Sequence, residues 1–358
     1  ITQTFFQNNL FTLCHLIYTD TFYMKRKWIR WVSWILLTPI ILFVILMVLL
    51  YVPPVQNLLR REVTAYASKA TGMQIQVERI DLRFPLNLLV RGVEVIQQPD
   101  TLLSLESLNV RVQAWPLIKG KVEVDEVTLS RVAVNSADLM EGMKIKGVLG
   151  RFFLQSHGVD LSNELAVINQ VELSDTHVQL LMNDTTTTPK DTTASAPINW
   201  KVALHQLKLK NVSFSMQLPA DSMRMAAHIG EAAIDDAQAD LKNQYYDLKK
   251  FLLSGTSASY DTGTAQPAEG FDASHIAVRD IRIALDSLLY KGRDMNAVIR
   301  EFTMNERSGL SVTSLTGRAY SNDSVICVPG LKLNTPHSEI DLSAHTYWEL
   351  VNIPTTGR

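Results

Sequence analysis

Residues 122–134 read VEVDEVTLSRVAV, and this stretch decides the fold class of the chain. Large apolar residues recur in it as h-x-h-x-x-h-x-h, where h is apolar and x is any residue. Alternation places apolar side chains on one face of a β-strand, and the extra x would send the next ones to the other face. A β-bulge at the double x absorbs that slip and adds bend and twist. The stretch therefore predicts a bulged strand with one apolar face.

The same pattern recurs along most of the chain. Further copies begin at residues 75, 103, 202, 246 and 276, with a looser copy at 171. We therefore expect a mainly β protein, with a long, curled, antiparallel-type sheet of repeated short strands shaped as a half-barrel or taco-like groove. Sixteen apolar positions of the repeats are candidates to line it: Ile75, Val77, Ile80, Leu82, Val122, Val124, Val127, Leu129, Val132, Val134, Leu207, Leu209, Val212, Phe214, Ile281 and Ile283.

Two interpretations of this continuous apolar side stay open. It is either the closed core of a β-sandwich or an open groove for an apolar ligand, because large exposed apolar patches mark binding or aggregation. A charged substitution such as Val127→Glu or Leu129→Arg separates the two, since it unfolds a closed core but only blocks a groove.

Residues 34–52, WILLTPIILFVILMVLLYV, contain no charged residue and predict a single membrane-spanning helix. About 20 apolar residues cross the roughly 30 Å hydrocarbon core of a bilayer. Basic residues precede the segment, so the positive-inside rule predicts a cytoplasmic N-terminus and an exported remainder. The basic residues are Lys25, Arg26, Lys27 and Arg30, and the anchor positions are Trp34, Leu36, Ile40, Phe43, Leu46, Leu50 and Val52.

A cleaved secretory signal peptide is the alternative to this anchor. Signal peptides have a shorter apolar core, with small residues close behind it. Here two prolines follow the segment, and the first A-x-A, Ala65 and Ala67, lies further on, which favours an uncleaved anchor. Residues 1–23 begin with Ile1 and precede Met24-Lys25-Arg26-Lys27, so we interpret them as an upstream extension without a function.

Composition divides the chain into five parts after that extension. They are the basic N-terminus and anchor (24–53), an amphipathic helix capped by Gly72 (54–72), a first β segment (73–183), a Thr-rich linker or loop (184–197) and a continuing β segment that ends as if truncated (198–358).

Three local expectations concern ambiguous stretches. Asp138–Lys144 predicts a short helix that Gly147 and Gly150 end. Ala232–Tyr246 fits a helix or a strand, and we favour a strand because it leads into the repeat at Tyr246. Gly255–Gly270 predicts a loop.

Several function classes have no support in the composition. A net charge of −2 offers no basic surface for nucleic acid. The two cysteines, Cys14 and Cys327, fall on opposite sides of the predicted anchor and indicate no disulfide, and no zinc spacing is present. No nucleotide-binding loop, nucleophile elbow or HExxH occurs, so we expect no enzyme, cofactor or metal site. The acidic cluster of Asp235, Asp236 and Asp240 is interpreted as a solvated loop or strand edge.

Two long segments carry a family resemblance. Residues 71–95, TGMQIQVERIDLRFPLNLLVRGVEV, and residues 101–134 resemble AsmA-like envelope proteins, most closely the N-terminal part of the TamB branch. The shared order is a basic N-terminus, one anchor, an amphipathic helix, a strand pair and then bulged apolar strands. The likeness covers residues 24–134 well, and in the later repeats it is limited to the general apolar pattern. The C-terminal domain that defines TamB-type proteins is not recognisable.

The resemblance implies a mechanism and partners. It implies a taco-shaped sheet in the periplasm of a Gram-negative cell, whose apolar interior carries phospholipid between the inner and outer membranes. It also implies the inner membrane and a TamA-like outer-membrane barrel as partners. The alternative function is an assembly scaffold for outer-membrane or autotransporter proteins, in which exposed strand edges pair with client strands.

Overall fold

The structure is a computed structural model that describes residues 37–38, 41–42, 44–45, 48, 52–84, 86–97, 100–113, 115–116, 123–136, 142–160, 163–182 and 199–351. The predicted extension 1–23, the topology-setting basic residues and the Thr-rich segment lie outside the described residues, as do all the predicted anchor positions except Val52. Among the described residues, no helix combines the length and apolarity needed to cross a bilayer. The chain forms two compact units, 1–59 and 60–358.

The first long helix, α1, covers Pro53–Thr71, so the helix predicted over 54–72 is present. Proline is tolerated in the first turn because its missing N–H has no intrahelical partner there. At the other end, the N–H of Gly72 donates to the carbonyl of Ser68 at 3.0 Å, and Gly72 has a φ of +70°. This left-handed conformation ends the helix and turns the chain toward the first strand.

The remainder of the described chain is almost entirely strand. The elements are β1 (Gln74–Arg83), β2 (Asn87–Gln97), β3 (Asp100–Val112), β4 (Val124–Asn135), β5 (Met143–Asp160), β6 (Leu165–Met182), β7 (Lys201–Leu218), β8 (Met223–Asp240), β9 (Tyr245–Asp261), β10 (His275–Lys291), β11 (Asp294–Glu306), β12 (Ser311–Val312), β13 (Ser314–Ser321), β14 (Val325–Asn334), β15 (Glu339–Tyr347) and α2 (Trp348–Val351).

These fifteen strands form one open sheet. Strand order follows chain order from β1 to β15, except that the short β12 pairs only with β11. Neighbours are antiparallel with one exception among the described strands, because β6 and β7 run parallel. The expectation of an antiparallel-type sheet is therefore wrong at this pair. Parallel neighbours need a connection that returns along the strands, whereas antiparallel neighbours can be joined by a tight turn.

The strands are longer than the short strands that we expected. Strands β5 to β10 each have 17 or 18 residues. Glycines lie inside strands: Gly150, which was expected to follow a short helix, is in β5, and Gly92 is in β2. The loop predicted from Gly255 begins only after Asp261, because Gly255 occupies a bulge within β9. The long strands therefore continue through their bulges, so the apolar pattern extends along a strand without a turn.

The other local expectations have different outcomes. Met143 and Lys144 belong to β5, so the helix predicted over Asp138–Lys144 is wrong for its last residues, while 137–141 lie outside the described residues. The stretch from Ala232 to Asp240 is the second half of β8, as favoured. Cys327 lies in β14 as a free, half-buried thiol.

Candidate functional site

Apolar residues of neighbouring strands pair with each other in rows that cross the sheet. The first row contains one residue from each of fourteen strands, and all but Gly317 are apolar. Its members are Leu82, Leu88, Val110, Val127, Leu154, Val171, Leu207, Ile234, Phe251, Leu285, Ile299, Gly317, Leu331 and Leu342. With strands about 4.8 Å apart, this row is about 60 Å long.

Three further rows run beside the first. The second is Ile80, Val90, Leu108, Leu129, Phe152, Leu173, Leu209, Ala232, Leu253, Ile283 and Phe302. The third is Val77, Val93, Leu105, Val132, Leu149, Thr176, Val212 and Ile229. The fourth is Ile75, Val95, Leu103, Val134, Gly147, Val178, Phe214, Ala227, Ala258 and Val278. We name these four rows together the apolar face.

Within the part of the chain that the structure describes, the apolar face is not covered like a closed core. No large side chain among the described residues is fully buried. Most members of the first row are half-buried, and Phe214 in the fourth row is 40% exposed. The extensive contacts of each described strand are with its neighbours in the sheet, so they do not bring a second layer onto it. The neighbouring side chains within the sheet therefore supply most of the burial.

The opposite face is mostly polar and charged, although it also carries apolar side chains such as Phe153 and Val148. Arg111 and Glu126 are cross-strand partners at 3.1 Å, one position away from the apolar Val110 and Val127. Because successive side chains in a strand point to opposite faces, this ion pair lies behind the apolar row. Solvent-exposed pairs of this kind contribute about 0–1 kcal/mol each, so they mark a solvated surface more than they stabilise the sheet.

A row of paired bulges keeps the four apolar rows on one face. At the double-x position of each strand from β1 to β9, one residue has no partner in the strand pairing, and these residues lie opposite one another. They are Glu78, Gly92, Glu106, Arg131, Gly150, Asp175, Asn211, Gly230 and Gly255, which we name the bulge row. Since both neighbours carry the extra residue, apolar pairs resume in register on the far side.

Close backbone approach accounts for two glycines of the bulge row. A Cβ atom on Gly150 would lie 2.7 Å from the Cβ of Asp175 and 2.9 Å from its carbonyl oxygen. A Cβ atom on Gly230 would lie 2.8 Å from the carbonyl oxygen of Gly255. These distances are shorter than any unstrained contact, so the two strands can approach only where one residue has no side chain.

Fifteen of the sixteen predicted groove residues are described, and Val122 lies outside the described residues. Thirteen of the fifteen belong to the four rows. The other two also have apolar or hydroxyl partners, because Val124 pairs with Val112 and Ile281 pairs with Thr256. The repeats therefore identified residues that the sheet brings together across β1, β4, β7 and β10.

The sequence prediction assigned no copy of the repeat to β2, β5, β8, β11 or the last strands, so it missed their contributions to the apolar face. In β5 the residues are Leu149, Phe152 and Leu154, with Gly147 in the first apolar position of the repeat. In β8 alanine occupies several of these positions, including Ala232. A search that admits Gly and Ala at the apolar positions would have found both strands.

The carboxylates with shifted pKa values lie toward the ends of the strands. Hydrogen bonds from Asn243 lower the pKa of Asp240 below its ordinary value, although desolvation raises this pKa and so opposes part of the shift. Hydrogen bonds from Ser308 similarly lower the pKa of the buried Glu306, which pairs with Val278 at the end of the fourth row. Within the part of the chain that the structure describes, no group of three or more His, Cys, Asp or Glu side chains could hold a metal ion.

Comparisons with known proteins do not identify a family for this chain. No protein-family model matches the chain, and no curated protein gives a significant match.

Proposed function

We propose that the chain is an inner-membrane-anchored periplasmic protein that conducts phospholipid between the inner and outer membranes of a Gram-negative cell along its apolar face. The observation that supports this proposal is the length of the first row, in which thirteen of fourteen residues from successive strands are apolar and no second layer of described residues covers them. The predicted anchor and the AsmA-like, TamB-type resemblance supply the cellular setting of the proposal.

Hydrophobic burial provides the physical basis of such a conduit. Each methylene group of an acyl chain costs about 0.8 kcal/mol to expose to water. A surface that offers apolar contact at every strand lets a lipid move by one strand spacing without losing this contact. The movement then needs no cofactor and no covalent step.

The test is the lipid that the full-length chain carries after purification from a Gram-negative host into amphipol. Bound lipid is extracted and identified by mass spectrometry. Leu129→Arg places a charge in the second row, whereas Thr128→Arg places the same charge one residue away, on the opposite face. We expect phospholipid with the wild type and Thr128→Arg, and a several-fold loss with a folded Leu129→Arg variant.

Other outcomes contradict the proposal. A folded wild-type protein without bound phospholipid would contradict the proposed lipid conduit. Unfolding of Leu129→Arg, with Thr128→Arg intact by circular dichroism, would show that the apolar face is the interior of a closed core.

The second candidate function is an assembly scaffold for outer-membrane or autotransporter proteins, with a TamA-like barrel as partner. The observation that favours it is the edge strand β15, in which eight of nine side chains are exposed. An exposed edge offers unpaired backbone groups to an incoming strand. Ala344→Pro should then weaken client binding without changing bound lipid, and an unchanged client affinity would count against the scaffold.

A further inference from the structure

Tyrosine and tryptophan gather at one end of the strands. Strands β2, β4, β6, β7, β9, β11 and β14 begin at this end, which we name the aromatic end. Nine Tyr and Trp residues occur between residues 74 and 351, and eight of them lie at the aromatic end or in the loops beside it. The exception is Tyr260, near the far end of β9.

The central strands place two of these rings beside the apolar face. Tyr246 and Tyr290 are cross-strand neighbours with ring centroids 6.0 Å apart. They are 41% and 39% exposed, and each lies two residues from the apolar partners Leu248 and Leu288. Trp200 precedes β7 at the same end. An apolar ring with a polar tip therefore stands where the apolar face ends.

The outer strands add a tryptophan and a cation at the same end. Trp348 donates its indole N–H to the carbonyl of Asn322 at 2.7 Å, and the guanidinium of Arg293 lies 5.5 Å from its ring centroid. The guanidinium of Arg318 also lies 5.1 Å from the ring centroid of Tyr320, but these residues are one and three positions from Gly317 of the first row and so lie on the opposite face. The guanidinium of Arg293 keeps its charge near the ring of Trp348, where an anionic group could be bound.

The other end of the strands has a different composition. Seven methionines are described from β5 onward, and six of them lie toward the end opposite the aromatic end. Two cross-strand pairs are Met143 with Met182 and Met216 with Met225. Methionine is apolar, flexible and without a strong hydrogen-bonding group, so it suits contact with disordered hydrocarbon.

We propose that lipid on the apolar face is oriented, with its glycerol and anionic headgroup at the aromatic end and its acyl chains directed along the strands toward the methionine end. This inference rests on the proposed function. Tyr and Trp rings favour the border between headgroups and acyl chains, because one side of the ring is apolar and its tip needs a polar partner.

The dimensions of the sheet agree with this orientation. One leaflet of a bilayer supplies about 15 Å of hydrocarbon, half of the roughly 30 Å core. Five residues of strand cover about 16 Å at 3.3 Å per residue. An acyl chain that starts at Tyr246 would therefore reach Phe251 of the first row and approach Leu253 of the second.

The experiment measures tryptophan quenching by phosphatidylglycerol that carries bromine either near the ester or near the methyl end of its chains. The full-length protein, with Trp28, Trp31, Trp34, Trp115 and Trp348 replaced by Phe, retains Trp200 as its reporter. It is loaded from vesicles, which are then removed by flotation. We expect a larger loss of Trp200 fluorescence with bromine near the ester.

The matched control moves the reporter to the first row with Trp200→Phe and Phe251→Trp, because an acyl chain of this length ends near Phe251. The order of quenching by the two lipids should then reverse, so that bromine near the methyl end quenches more. Equal quenching by both lipids at the two reporters, or the same order at both, overturns the orientation but leaves lipid binding intact. No quenching at either reporter, with no bound lipid found by extraction, contradicts the proposed function as well.

Discussion

The side-chain amide of Asn211 donates a hydrogen bond to the Oδ1 atom of Asp175 at 2.8 Å, across the parallel pair β6 and β7. Both residues have positive φ angles, 53° and 50°, and both lack a partner in the strand pairing. Each is separated from the other by 36 residues, as are all the paired residues of these two strands. The bulge row therefore passes through the parallel pair without a change of register.

Asn211→Ala should destabilise β6 and β7 more than Asn211→Gly. Alanine loses the hydrogen bond, worth about 1 kcal/mol, and adds a left-handed backbone penalty of roughly 1–2 kcal/mol. Glycine loses the same hydrogen bond but accepts positive φ. Hydrogen exchange of the backbone amides in β6 and β7 measures the difference, and equal protection in the two variants would contradict it.

A disulfide should form between Asp175→Cys and Asn211→Cys in a Cys14→Ser, Cys327→Ser background. Neighbouring strands lie about 4.8 Å apart, within the roughly 4.4–6.8 Å that Cα atoms of a disulfide span. Peptide mapping by mass spectrometry after mild oxidation detects the link. The control pair, Asp175→Cys with Ser215→Cys, is four residues out of register and should stay reduced; equal linkage of both pairs would argue against the parallel pairing.

Gly150→Ala and Gly230→Ala should each destabilise the sheet by about 1–3 kcal/mol, the usual cost of overpacking. In both variants the new methyl group meets atoms of the neighbouring strand, mostly rigid backbone. Gly330→Ala is the control, because a Cβ atom there would meet nothing within 4 Å. Urea unfolding followed by circular dichroism provides the comparison, and a Gly330→Ala effect as large as the other two would rule out this explanation.

The connection between β9 and β10 should open in acid. The pKa of Asp272 is lowered from 3.8 to about 2, first by the N–H of Ala268, then by the His275 side chain and the N–H of Ser274. Because the folded pKa lies below the ordinary value, this stabilisation is present above about pH 4 and is lost as the pH falls toward 2.

Hydrogen exchange of the Thr262 amide, which donates to the Ser274 carbonyl at 2.8 Å, reports on this opening. Protection should fall between about pH 4 and 2 in the wild type, after correction for the intrinsic pH dependence of exchange. Asp272→Asn should lower protection at neutral pH and flatten the change. An identical pH profile in the variant would assign the acid sensitivity to another group.

The sequence by itself determined the strand class and, in the strands that carry the repeat, the apolar positions and the bulge between them. These features depend on consecutive residues: the h-x-h-x-x-h-x-h pattern of Val127, Leu129, Val132 and Val134 specifies alternation and one extra residue whatever lies beside the strand. Helix α1 was predictable for the same reason, since its proline start and glycine end act locally.

Only the tertiary structure decided how the strands meet. The same local pattern fits a parallel or an antiparallel neighbour, so the direction of β7 beside β6 could not be predicted from either strand alone. From the sequence, Gly150 predicted a break in the chain. Only the structure shows that it lies opposite Asp175, which approaches it closely. The gathering of Tyr246 and Tyr290 at one end depends on the chain reversal between β9 and β10. Pairing joins residues distant in sequence, and its geometry exists only when both strands are in place.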